Sequence, residues 1–160
     1  MLGLHGVTPR AASVVTAAVA AITFGASQAS AEVVFGWWTY NGIQPSWRCG
    51  PSQQVFGDDY ARACVSVNGN SAQAILVLNT SNHPTQQAIT GNVQDDINGV
   101  DQAGYDRTCG PYNVGTPIGY SVCFAHTMTV PKGTDFGAWI TLTDNATSFP
   151  DAHLYWSTYV

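Results

Sequence analysis

Three features of the chain predict an all-β fold: an antiparallel β-sandwich, immunoglobulin-like in layout, with about seven strands and two disulfides. Apolar and polar residues alternate with period two in several short runs, and helical spacing is nearly absent. Turn-forming clusters, among them Asn41-Gly42, Asn68-Gly69-Asn70 and Pro131-Lys132-Gly133, separate those runs. The tripeptide Cys-Gly-Pro occurs at Cys49 and again at Cys109, followed by a second cysteine at Cys64 and Cys123 respectively, with Tyr60 and Tyr120 shortly before it. A closed barrel is the alternative architecture.

The elements follow in order. Residues 1–31 read as a secretory signal peptide: Arg10 precedes an uncharged stretch rich in Ala and Val, and Ala29-Ser30-Ala31 fits the small-residue cleavage rule. Residues 32–160 then form a single domain of ordinary size, with no membrane span left after cleavage. Export to an oxidising compartment makes the four cysteines bridges rather than metal ligands or nucleophiles. The repeat favours Cys49 with Cys64 and Cys109 with Cys123, each closing a short loop worth about 3 kcal/mol in the chain-entropy model. Cross-pairing between the halves is the competing arrangement.

Residues 32–40, rich in Val, Phe, Trp and Tyr, read as the first strand. Residues 60–67 and 72–79 flank the Asn-Gly turn and form a hairpin. Ala72, Ala74, Leu76 and Leu78 fall on one face of its second arm, with Ile75 and Val77 on the other, so both faces are apolar at the centre of an interior strand. Residues 87–93 are a further strand, and residues 94–108, with four Asp, read as a polar loop. Strand patterns resume at 119–130, 136–143 and 152–159.

The stretch Ala63-Cys64-Val65-Ser66-Val67, followed by residues 69–81 from Gly69 through Asn79-Thr80-Ser81, resembles a pattern in small exported proteins of Gram-positive bacteria. Those proteins share a leader, a Cys-bearing strand, a Gly turn and a strand ending in Asn-x-Ser. The resemblance implies an exported β domain and carries no catalytic motif.

Charge excludes one class of partner. The chain has ten acidic and five basic residues, a net charge of −5, and only 9% charged residues in all. Its scattered Arg48, Arg62, Arg107 and Lys132 cannot track a phosphate backbone, so nucleic acid is not an expected partner. The neutral, polar remainder suits contact with an extracellular polysaccharide or another protein.

Catalysis has no clear signature. No nucleophile elbow, zinc-protease helix motif or phosphate-cradling loop is present. Glu32 is the only Glu, so a glycosidase would need Asp pairs such as Asp58 or Asp59 with Asp95, Asp96 or Asp101. The sequence therefore points away from an enzyme and calls for no cofactor. His83, His126 and His153 lack metal-ligand spacing and read as unrelated polar positions. Asp95, Asp96, Asn98 and Asp101 surround Gly99 and offer hard oxygen ligands of the kind calcium takes, although the spacing misses an EF-hand. A hydrated acidic turn is the stronger reading of that segment.

Aromatic residues are the remaining signal. Trp37 or Trp38, with Trp47 and Tyr112, are the candidates for stacking on a sugar ring. Strand alternation requires one of Trp37 and Trp38 to point inward, and core packing accounts for many of the other rings. The expected function is a secreted, non-catalytic binding or structural protein. A carbohydrate-binding module is the first alternative, and a protein-binding effector or enzyme inhibitor is the second.

Overall fold

The computed structural model describes residues 34–80, 87–114, 120–146 and 149–160, with backbone alone at 34–35, 87–88 and 112–114. The expected signal peptide and His83 lie outside the described residues. In chain order the strands are β1 (Val34–Phe35), β2 (Trp38–Tyr40), β3 (Trp47–Cys49), β4 (Gln53–Gln54), β5 (Tyr60–Asn68), β6 (Ser71–Asn79) and β7 (Gln87–Ile97). There follow β8 (Val100–Asp101), β9 (Arg107–Val114), β10 (Tyr120–Phe124), β11 (Met128–Thr129), β12 (Asp135–Asp144) and β13 (Ala152–Tyr159). Seven of these, β5, β6, β7, β9, β10, β12 and β13, have five or more residues, and no helix occurs among the described residues.

The strands form two sheets. One runs β1-β9-β7-β12-β13, with β8 folded back on β7, and the other runs β2-β10-β6-β5-β3, with β11 on β6 and β4 on β5. All pairings are antiparallel except the short β1–β9 contact, which is parallel.

Alternation decides what fills the space between the sheets. Ala63, Val65, Ala74, Leu76 and Leu78 from the second sheet meet Ile89, Val93, Phe136, Ala138, Ile140, Leu142 and Leu154 from the first, all buried in one cluster. Full burial of one such Leu, Ile or Phe contributes about 1.5–3 kcal/mol. The opposite side of β6 is apolar too: Ile75 and Val77 join Cys64 and Val122 in a second cluster, covered by Tyr40, Ile43, Trp47 and Phe124. The expected interior position of this strand is thus met, with apolar matter on both faces.

The expected hairpin is present as β5–β6, with Asn68 opposite Ser71 and Gly69 at φ +62°. Glycine at the first central position is what a type II′ turn requires. Both locally closed disulfides form, Cys49–Cys64 and Cys109–Cys123. They are not structurally alike. Cys49 and Cys64 are direct register partners on β3 and β5 within one sheet, whereas Cys109 on β9 and Cys123 on β10 join one sheet to the other.

Two expectations need correction, and one strand is additional to those expected. The strand expected over 32–40 is broken: β1 belongs to one sheet and β2 to the other, with the chain crossing at Gly36-Trp37. The polar loop expected over 94–108 is about half strand. β7 continues to Ile97, turns at Asn98 (φ 53°) and Gly99 (φ 79°), and returns as β8. Two successive positive φ values are the signature of a type I′ turn, for which Asn-Gly is the preferred pair. Finally, Arg107–Val114 is a strand in spite of Pro111. The ladder slips between Ile89 and Gly91, whose partners are Tyr112 and Cys109, so Gly110-Pro111 occupies a bulge where Pro's missing N–H removes no ladder bond.

Candidate functional site

The outer face of the first sheet is built by the same alternation that fills the core. With Ala138 and Ile140 facing inward, Trp139 between them faces out and is 45% exposed. Leu154 and Trp156 face inward on β13, so Tyr155 faces out and is 41% exposed. Trp139 pairs in register with Gln94 on one side and Tyr155 on the other. The two rings lie side by side, 5.6 Å between centroids and tilted by 49°.

Gly137 sets the pose of Tyr155. A Cβ at Gly137 would stand 2.8 Å from the Tyr155 hydroxyl and 2.9 Å from Cε2, so the phenol lies down over a position with no side chain. Partial burial raises the Tyr155 pKa above its ordinary value; a side-chain hydrogen bond with Ser157 offsets part of this, and the Asp96 and Asp135 carboxylates add to it. Trp139 and Tyr155 line a cavity of about 450 Å³ together with Gln94, Asp95, Asp96, Gly99 and Asp101. That volume falls within the usual range for small-molecule sites.

The acidic residues differ sharply in environment. Asp95 is fully buried on the inner face of β7, where its Oδ1 accepts a hydrogen bond of 2.8 Å from the Ala74 backbone N–H on the facing sheet. Its Oδ2 is buried without a hydrogen-bond partner. Burial pushes its pKa up to about 7, opposed by the Ala74 hydrogen bond and assisted by Asp106 and Asp101. Asp96, next along the strand, faces outward, and its Oδ1 accepts from the Gly99 N–H at 2.7 Å. Asp101 is exposed on β8, directly opposite Asp96.

The expected calcium set is therefore dispersed along the hairpin. Asp95 faces the core, Asp96 and Asp101 share the other face, and Asn98 lies in the turn. Among the described residues no group of three or more His, Cys, Asp or Glu is placed to hold a metal ion. The hydrated acidic turn expected at Asp95-Asp96 is corrected as well: these carboxylates are 0% and 8% exposed and belong to a strand. His126 lies beside Arg107 at 3.4 Å, while His153 contacts Thr141 Oγ1 at 3.2 Å on the outer face of the first sheet.

The expected sugar-stacking rings do not converge. Trp37 is half-buried against the main core, with its Nε1 buried and unpartnered. It lies over Gly91, where an added Cβ would come within 2.8 Å of the indole and 2.5 Å of Leu76. Trp38 points the other way and is 58% exposed, lining a cavity of about 320 Å³ with Tyr40, Gln73, Arg107 and Phe124. Trp47 is packed into a ring cluster with Tyr40 and Phe124, at centroid distances of 5.2 and 5.8 Å. Tyr112 lies on β9 opposite Ile89, and its side chain is outside the described part. The residues that do converge, Trp139 and Tyr155, were legible as outward-facing from their apolar neighbours in sequence.

Fold and surface together define a disulfide-braced, all-β protein of two facing sheets, with no helix among the described residues long and apolar enough to cross a membrane. Compared with known proteins, the chain matches no protein family, no curated protein and no solved structure.

Proposed function

We propose that this is an exported, non-catalytic binding protein whose outer sheet face, centred on Trp139 and Tyr155, holds a carbohydrate. The observation that carries this reading is the exposed, side-by-side ring pair beside a cavity that also has an amide, Gln94, and carboxylates, Asp96 and Asp101, at its wall. Aromatic faces stack on the apolar C–H face of a sugar, and amides and carboxylates accept or donate to its hydroxyls. Rings mounted on the paired strands β12 and β13 are held in place by the ladder, so little ordering is lost on binding. Export is supported by the two disulfides, by the leader-like residues 1–31 and by the resemblance to small exported proteins of Gram-positive bacteria.

Depletion of the purified protein by insoluble chitin, cellulose or peptidoglycan tests the reading. Retention by at least one of them is expected, with Trp139→Ala weakening it about tenfold, equivalent to about 1.4 kcal/mol. Trp38→Ala, on the other sheet, should leave retention unchanged. No retention by any of the three would remove the proposal, and equal loss from the two Trp variants would move the site elsewhere.

A further inference from the structure

Resting on that reading, we propose that the Trp139–Tyr155 surface selects a sugar polymer carrying free ammonium groups, a glucosamine-type chain, over neutral or acidic ones. Apart from Tyr155, the ionisable side chains that face the cavity are carboxylates, Asp96 and Asp101, and no Lys, Arg or His lines it among the described residues. The three arginines among the described residues are engaged or placed elsewhere. Arg48 donates to the Tyr159 carbonyl and to Thr158 Oγ1, Arg62 lines a separate cavity with Tyr60 and Tyr120, and Arg107 lies beside His126.

The β7–β8 hairpin adds a second argument. Asp96 and Asp101 are direct cross-strand partners, and like charges at such positions repel. A cation placed between them and the rings turns this repulsion into attraction. The indole and phenol faces contribute in the same sense, because an aromatic quadrupole attracts an ammonium group. An amino sugar satisfies both features of the surface, with its C–H face on the rings and its ammonium at the carboxylates. A lysine side chain offers the charge without the flat C–H face, and a neutral glycan offers the face without the charge.

Isothermal titration of the purified protein with glucosamine oligomers, N-acetylglucosamine oligomers of equal length and oligolysine separates these cases. The expected result is about tenfold tighter binding of the free-amine sugar than of the acetylated one. Added salt should shrink that preference, and Asp101→Asn, at an exposed position, should reduce it about threefold. Equal affinity for the two sugars, a preference that survives the Asp96→Asn/Asp101→Asn pair, or oligolysine binding as tightly as the amino sugar would each overturn the proposal. Glycan binding without amine preference removes only the cation selectivity. Absence of binding to every glycan, soluble and insoluble, removes the carbohydrate reading itself.

Discussion

The two Cys-Gly-Pro segments share a tripeptide and nearly equal loop lengths, 15 and 14 residues, yet they do different mechanical work. At the first, Cys49 and Cys64 sit opposite each other in neighbouring strands, with Cα atoms 4.0 Å apart, and fasten the short β3 to the outer side of its own sheet. At the second, Cys109 and Cys123 pass through the main core and fasten one sheet to the other, with Cα atoms 5.9 Å apart. The two glycines are required for unrelated reasons. Gly50 leaves room for an indole, since an added Cβ would lie 2.9 Å from Trp156 Cε3, while Gly110 adopts φ +98°, which suits a residue without Cβ. A repeated string thus fixes covalent connectivity without fixing structural role.

The largest expected effect comes from removing each bridge in turn. Loop-entropy arguments give the two nearly the same value, about 3 kcal/mol, because the loops match in length. The paired Cys109→Ala/Cys123→Ala change also empties two fully buried positions between the sheets and should cost about 1 kcal/mol more than Cys49→Ala/Cys64→Ala. Denaturant titration of the two double variants measures the difference, and equal losses would mean that spanning the sheets adds nothing beyond closing the loop.

Asp95 supplies a non-covalent tie of the second kind, since its carboxylate reaches the Ala74 N–H across the core. Its pKa is raised from 3.8 to about 7 by burial, so the folded protein holds a proton that the unfolded chain has released over that interval. Stability from this group is complete below pH 3.8 and is lost as pH climbs through about 7. Between pH 5 and pH 8 the loss should be about 2–3 kcal/mol in thermal or denaturant unfolding. Asp95→Asn keeps an oxygen for Ala74 and should flatten the profile while raising stability at pH 8. A variant with the same pH slope as the parent would assign the slope to other groups.

The smallest effects sharpen the contrast between the glycines. Gly50→Ala and Gly110→Ala should each destabilise by about 1–2 kcal/mol, the first by steric overlap and the second by backbone strain. Adding Trp156→Leu tells them apart. It should relieve Gly50→Ala, giving a combined cost below the sum, and leave Gly110→Ala additive. Additivity in both pairs would contradict the packing role assigned to Gly50.

Much of this organisation was readable from the residues. The bridges followed from the repeat, the β5–β6 hairpin from Gly69 between two apolar runs, and the burial of both β6 faces from Ile75 and Val77 interleaved with Leu76 and Leu78. The acidic hairpin was obscured because four Asp in residues 94–108 suggested solvent, although Asn98-Gly99 between Ile97 and Val100 carried a strong turn signal. Composition misled there because Asp95 is held by a backbone N–H of the other sheet, a partner more than twenty residues away that no local pattern reveals. The crossing of the chain at Gly36-Trp37 was hidden for a similar reason: β1 and β2 are short, and their membership depends on which distant strand, β9 or β10, completes the ladder. The outer aromatic face needed both neighbours of Trp139 at once. Alternation placed the indole outside, but only the register with Gln94 and Tyr155 gave it companions.

The empty position beneath Tyr155 has a use beyond explaining a pose. Gly137 points away from the core, so replacing it with alanine would tip the phenol off the sheet and reshape the outer relief while the packed interior stays as it was. One added methyl group thus reshapes the Trp139–Tyr155 surface while leaving the interior packing in place.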